Sequence, residues 1–223
     1  MTVFTSVYLR LKRFVWSRRR IKRCKGKAEL LTNPDVSILS MNCTGGVLYH
    51  DLGLPFLSPT VNLFFQAEDF IRFCERLEDY LAIDDMTECK EPAIVEGRTY
   101  PVAWLGDIKL FLVHYASVAE AQEAWNKRKK RLARENIAVI ATDRDGMTDA
   151  LKDRFEKLPY QKVMFVHRPD AGHPSCFFLR GWEEEDAVGI ITESTGWRGL
   201  RPIDQFDWIG FLNGAVRREK KTA

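Results

Sequence analysis

The sequence predicts an α/β protein: a mixed, mainly parallel sheet covered by helices in three layers, with a basic helix in front of it. Three observations carry that expectation. Ile137–Ala141 and Lys162–Val166 are short, β-branched or apolar runs of the kind buried on both faces of a parallel sheet. Between the strand candidates lie stretches with apolar residues at helical spacing. The resulting order is strand, helix, hairpin, helix, strand, helix, strand, an alternation that builds a sheet covered by helices.

The elements follow in chain order. Residues 1–27 read as a leader helix, with Val3, Val7, Leu11, Phe14 and Val15 on one side and Lys12, Arg13, Arg19, Arg20 and Arg23 on the other. Gly26 and Asn33-Pro34-Asp35 punctuate its exit, and residues 28–223 are expected to form a single α/β domain. Val36–Met41 is the first strand. It runs into Asn42-Cys43-Thr44-Gly45-Gly46, expected to be a turn without regular structure, and residues 47–65 read as loop and short strand. Ala67–Ala82 is a helix with Phe70, Ile71, Phe73, Cys74, Leu77 and Leu81 inward. Tyr100–Trp104 and Ile108–Tyr115 flank Leu105-Gly106-Asp107, a hairpin signal. Val118–Asn136 is a helix. Thr148 caps another that reaches Leu158. Cys176–Leu179 and Val188–Thr192 are further strand candidates, and Phe206–Asn213 is a C-terminal helix.

Composition narrows the function classes. Of 223 residues, 45% are hydrophobic and 29% charged, ordinary for a globular protein. No apolar run approaches the roughly 18 residues of a membrane span. The net charge of +3 hides an asymmetry: residues 1–27 hold ten Lys or Arg and no acid, while the rest holds 24 basic and 31 acidic residues. An acidic body argues against a nucleic-acid partner. The leader suits peripheral contact with an anionic membrane, or packing on a protein. Five cysteines without CxxC spacing suggest neither a zinc framework nor a disulfide scaffold, and free thiols favour the cytoplasm.

Ligands of such sheets gather where strands end, and three strand ends carry polar residues: segments 42–51, 114–115 and 142–146, which are expected to lie together at one edge of the sheet. At the first, Gly45 and Gly46 can present backbone N–H groups to an anion. Asn42 stands beside them, Cys43 is a possible nucleophile, His50 a possible base and Asp51 its neighbour. The plain alternative is a tight turn with a small buried cysteine. At the second, His114-Tyr115 leaves a buried strand, where a histidine serves as base or as a satisfied boundary residue. At the third, Asp143-Arg144-Asp145 can bind Mg or Mn across a diphosphate, or simply turn the chain at Asp145-Gly146. Trp125, Arg128 and Arg131 advance by threes along a helix and suit a sugar-phosphate, unless they form an ordinary salt-bridged face. His167 ends the last buried strand and can join the site.

Ser40-Met41-Asn42-Cys43-Thr44-Gly45-Gly46 followed by Tyr49-His50-Asp51-Leu52-Gly53-Leu54-Pro55-Phe56-Leu57-Ser58-Pro59-Thr60 resembles the bacterial domain-of-unknown-function 1919 family. The resemblance continues through His114-Tyr115, Trp125, Arg128, Arg131, Asn136 and Thr142–Gly146, over roughly residues 29–213. It adds Tyr49, Ser58, Thr60 and Asn136 to the substrate-binding candidates. Members commonly read Asn-Asn-Cys and then Trp; Met41 and Thr44 stand at two of those positions here. The resemblance implies an α/β fold and a setting among capsule and exopolysaccharide genes, with no established reaction.

These readings point to a transferase of surface-glycan biosynthesis acting on an activated or lipid-linked sugar, on the inner face of the membrane. His114 would be its base, Arg128 and Arg131 would neutralise diphosphate, and Asp143 and Asp145 would hold a metal. A non-catalytic binding or scaffolding module of the same machinery is the second reading. A Cys43-dependent acyltransferase or hydrolase is the third. No basic residue neighbours Cys43 in sequence to lower its pKa. His114→Ala is therefore expected to cost more activity than Cys43→Ser.

Overall fold

A computed structural model describes residue 24 and residues 26–95, 98–193 and 200–214. The leader helix expected over residues 1–27 lies almost wholly outside the described residues. Only its end is described, where Cys24 is helical and buried.

The central sheet contains β1 (Ser37–Ser40), β7 (Ile137–Thr142), β8 (Gln161–Val166) and β9 (Cys176–Phe178), in that spatial order and all parallel. Every residue of β1 and β7 is buried, as expected for strands covered on both faces. Alternate residues feed two cores. Leu39, Val139, Ala141, Met164 and Val166 face one, and Ile38, Ala138, Ile140, Val163 and Phe165 face the other. The three layers of the sequence expectation follow from that alternation.

The first core is closed by α2 (Ala67–Glu75), α3 (Leu77–Leu81), α4 (Val118–Lys129) and α5 (Asp149–Lys157). Two of these carry side-chain caps: Ser117 accepts from Glu120 N–H, and Thr148, the cap expected from the sequence, accepts from Leu151 N–H. The long helix expected over 67–82 is interrupted at Arg76, whose φ of −119° leaves helical geometry. The second core is closed by α1 (Thr44–Leu52) and α6 (Trp208–Gly214), with a 3₁₀ turn at Pro202–Gln205.

The antiparallel strands do not join the central sheet. β2 (Thr87–Glu88), β5 (Val102–Leu105) and β6 (Ile108–Phe111) form a second sheet, and β3 (Ala93–Val95) and β4 (Arg98–Tyr100) form a separate hairpin. Gly106, at φ +62°, makes the β5–β6 turn that Leu105-Gly106-Asp107 announces.

Two expectations are corrected. Thr44–Leu52 is a helix rather than an irregular turn and loop. Its glycines are poor helix formers, but a Cβ on Gly45 would stand 2.9 Å from Ser40 Cβ and 3.3 Å from Ile38 Cγ2. Glycine there lets the helix lie against β1. Val188–Thr192 is not a strand. Val188 N–H donates to the Asp143 carboxylate at 2.9 Å instead of to a ladder.

Segment 60–65 links the two sheets. Ser40 N–H donates to Thr60 Oγ1 (3.0 Å) and Phe65 N–H to Met41 O (2.9 Å), beside the end of β1. Phe64 exchanges backbone hydrogen bonds with Phe111 at the end of β6. The C-terminal ends of β1 and β6 are thereby stitched together.

Candidate functional site: a cysteine–histidine pair at the sheet edge

Cys43 follows β1 and is the cap residue of α1. His114 lies in the turn after β6 and is exposed. Its Nε2 is 3.1 Å from Cys43 Sγ. This is the base that the sequence around Cys43 lacks. The third strand end joins them, since Asn42 Nδ2 donates to Thr142 Oγ1 at 3.4 Å. Residues 42–43, 114 and 142 therefore occupy one edge of the fold.

The thiol is half-buried, and burial pushes its pKa up; a hydrogen bond from its own backbone N–H opposes the rise. The resting group is thus a thiol, and a neighbouring imidazole must take the proton when sulfur attacks. Asn42 Oδ1 accepts from Thr44 N–H (3.1 Å) and from the Thr44 hydroxyl (2.7 Å), which fixes the start of α1. The N–H groups of Gly45 and Gly46 fall in the first turn, where no intrahelical acceptor exists. They sit beside the thiol at the positive end of the helix dipole.

Tyr115 and Arg128 hold the turn that carries His114. Val61 O accepts from the Tyr115 hydroxyl (3.2 Å) and from Arg128 Nη1 (2.9 Å), and Arg128 Nη1 also donates to Tyr115 Oη at 2.6 Å. The Arg128 guanidinium lies over the Phe56 ring, 5.6 Å from its centroid. Burial raises the Tyr115 pKa, and the Arg128 charge opposes it. Both side chains are engaged within the fold, and through Nη1 Arg128 acts as a positioning residue for Tyr115 and the turn that carries His114. Trp125 points into the core, with its Nε1–H on Ile83 O at 3.3 Å and its ring against Phe73. It shares no ligand surface with Arg128. Arg131 is exposed beyond the end of α4.

Several candidates turn out to hold the fold together. His50 is exposed at the other end of α1, seven residues and about 10 Å of helix from Cys43. Asp51 is buried in an ion pair with Arg201. The Tyr49 hydroxyl donates to Val36 O (3.2 Å) and accepts from Ile38 N–H (2.7 Å), pinning α1 to β1. Burial drives its pKa up. Ser58 and Thr60 share a buried hydroxyl contact of 3.0 Å beside β1. Asn136 pairs its amide with that of Asn33, at 2.7 and 3.0 Å, before the start of β7. That is the opposite end of the strand from Thr142, about 20 Å away at the strand rise.

The Asp143-Arg144-Asp145 segment takes the turn form. Asp145 and Gly146 both have left-handed backbone, at φ +61° and +88°. Asp145 O accepts Ala67 N–H at 3.0 Å, and its carboxylate meets Arg144 Nε at 3.1 Å. Burial raises the Asp145 pKa, with Arg144 opposing. Asp143 Oδ2 accepts His167 N–H (2.7 Å) and meets His167 Nδ1 (2.5 Å), while Oδ1 accepts Val188 N–H. Both oxygens of Asp143 thus bond within the fold, to His167 and Val188, and the Asp145 carboxylate meets Arg144.

The pairing of Cys43 with His114 is what the sequence reading missed. The available signal was that each directly follows a strand. The meeting of the two strand ends was expected; what was lacking was segment 60–65, whose bonds to Met41 and Phe111 set the two side chains in contact.

A protein of Haemophilus influenzae described as uncharacterized is 34% identical over 211 residues, covering 93% of this chain and 98% of that protein. A family model described as a domain of unknown function, DUF1919, matches residues 15–213, which span the cysteine turn, the histidine and the whole parallel sheet. The chain belongs to the DUF1919 family.

Proposed function

We propose that this protein is a cysteine-dependent acyltransferase or hydrolase, with Cys43 as nucleophile and His114 as general base. The observation that carries the reading is the 3.1 Å approach of His114 Nε2 to Cys43 Sγ, within reach for proton transfer to a paired base. A cysteine at a strand-to-helix junction is held by rigid backbone on both sides. The Gly45 and Gly46 N–H groups, without intrahelical acceptors in the first turn of α1, are the donors we assign to the oxyanion.

The chemistry balances within these groups. Sγ attacks the carbonyl carbon of an ester or thioester as His114 Nε2 takes the thiol proton. The carbonyl oxygen becomes an oxyanion beside the N–H groups of Gly45 and Gly46. Collapse expels the leaving group, which takes the proton from His114 and leaves a thioester on Cys43. His114 then deprotonates water or an acceptor hydroxyl, which attacks the thioester and regenerates the thiol.

The glycosyl-transfer reading assigned His114 as base, Gly45 and Gly46 to a phosphate turn, Arg128 and Arg131 to diphosphate, and Asp143 and Asp145 to a metal; of these, Arg128 and both aspartates bond within the fold. The thiol reading is therefore the better supported. No helix among the described residues is long and apolar enough to cross a membrane. The basic leader supports a peripheral seat on an anionic surface.

Burst kinetics test the acyl-enzyme. A p-nitrophenyl ester should release one nitrophenolate per chain rapidly and then turn over slowly. Steady release without a burst, unchanged in Cys43→Ala, would remove the reading.

A further inference from the structure

A second group of chemically capable side chains lies in the β8–β9 connection. Among the described residues, Asp170, His173 and Cys176 are a group whose ligand atoms all fall within 4.8 Å of one another. The spacing is Asp-x-x-His-x-x-Cys, with Pro169 and Pro174 stiffening the loop. We propose that these three residues form a binding site for zinc or a similar divalent transition ion. The inference is independent of the Cys43–His114 reading.

The loop is already shaped for the task. Gly172 N–H donates to Asp170 Oδ1 at 3.1 Å, and Cys176 N–H donates to His173 O at 2.9 Å. Cys176 is also the first residue of β9, so its backbone is fixed by the sheet. His173 Nδ1 faces the Asp170 carboxylate at 2.9 and 3.0 Å. On the far side of the ring, Nε2 is 3.2 Å from Asp153 Oδ1. That is the outer arrangement of metal-bound histidines: one nitrogen on the metal, the other donating its proton to a carboxylate that fixes the tautomer.

The surrounding charges divide without conflict. Lys152 Nζ is 3.0 Å from Asp170 Oδ2 and 3.1 Å from Asp149 Oδ1. Asp170 Oδ1 can therefore turn to a metal while Oδ2 keeps the ammonium. Lys152, His173 and the ion pairs of Asp170 explain how the loop holds together without a metal. They do not explain the thiol, which makes no hydrogen bond within the described residues.

The donor set selects the ion. A thiolate disfavours Mg and Ca, and a mixture of sulfur, imidazole nitrogen and carboxylate suits zinc. Three protein ligands leave a fourth position open to water or a small ligand. Binding expels the thiol proton of Cys176, because only the thiolate ligates. The imidazole binds through Nδ1 and carries its proton on Nε2, where Asp153 accepts it.

Titration of the full chain with Co²⁺ tests the site. One equivalent should produce thiolate-to-cobalt absorption, and Zn²⁺ should abolish it by displacement. Cys176→Ser, His173→Gln and Asp170→Asn should each weaken binding about tenfold or more, and Asp153→Asn by a similar factor through the outer contact. Cys43→Ser should leave the titration unchanged. X-ray absorption on the zinc-loaded wild-type chain needs no variant. It should show one sulfur at about 2.3 Å with nitrogen and oxygen nearer 2.0–2.2 Å. A zinc shell without sulfur, no cobalt spectrum, or a spectrum that survives Cys176→Ser would overturn the proposal.

Discussion

Cys43 Sγ and His114 Nε2 lie 3.1 Å apart although 71 positions separate them in the chain. The contact exists because segment 60–65 bonds to Met41 on one side and to Phe111 on the other. Neither residue is oriented by its sequence neighbours alone. The site therefore depends on that strip of chain.

Reactivity of Cys43 should follow pH in a defined direction. Burial raises the thiol pKa, so at neutral pH the group is mostly protonated and alkylation by iodoacetamide is slow. The rate should climb as pH rises, with a midpoint above the ~8.5 of a free cysteine. Mass spectrometry of digests reports Cys43 separately from the other thiols. A midpoint below that of a free cysteine would mean a preformed thiolate and a different division of labour with His114.

Arg128 should act through His114. Arg128→Met removes the donor that bonds Val61 O and Tyr115 Oη. The turn bearing His114 then loosens, and misplacement of a base by about 1 Å can cost on the order of 10²-fold. Acylation of Cys43 by an activated ester should slow by about tenfold to 10²-fold. Alkylation at high pH, where no base is needed, should be nearly unchanged. Equal loss in both reactions would indicate collapse of the site instead.

Gly45 should be a packing residue. In Gly45→Ala the new Cβ would lie 2.9 Å from Ser40 Cβ, which is fixed to backbone and cannot swing aside. Such overpacking costs typically about 1–3 kcal/mol. In Gly46→Ala the nearest atom is Val61 Cγ1 at 3.4 Å, an ordinary contact, and alanine's helix propensity offsets part of any cost. Urea unfolding of both variants distinguishes them, and equal stability would remove the close approach from the account.

Asp51 and Arg201 should matter for stability. The pair is buried, with Asp204 also on Arg201 at 2.9 Å. Removing one partner of a buried pair can cost about 3–5 kcal/mol, and the remaining contacts of Arg201 with Asp204 and of Asp51 with His50 reduce that loss. Asp51→Leu with Arg201→Met should be less destabilised than the sum of the single changes. Additive losses would place the two residues in separate roles.

Much of the fold was legible because the parallel strands advertise themselves. Ile137–Thr142 and Gln161–Val166 are apolar along their cores, and burial on two faces demands that pattern. Thr148 marked a helix start through its hydroxyl. Helix α1 was hidden because its two glycines are poor helix formers, and Gly45 is there for closeness to β1 rather than for propensity. Val188–Thr192 looked like a strand, yet Val188 N–H is spent on the Asp143 carboxylate. At the site, the gathering of the three strand ends at one edge was expected, because ligands of such sheets collect there. Which side chains pair across them, and which are consumed by carbonyls such as Val61 O, depends on contacts between distant segments that no local pattern encodes.

The most direct test maps the acyl adduct. Full-length protein is quenched at short times after mixing with an activated ester, and the modified residue is located by mass spectrometry. The account predicts one acyl group per chain on Cys43, none in Cys43→Ser on the same timescale, and acylation slowed by on the order of 10²-fold or more in His114→Ala at neutral pH. An adduct that persists in Cys43→Ser, or a wild-type rate in His114→Ala, would contradict it.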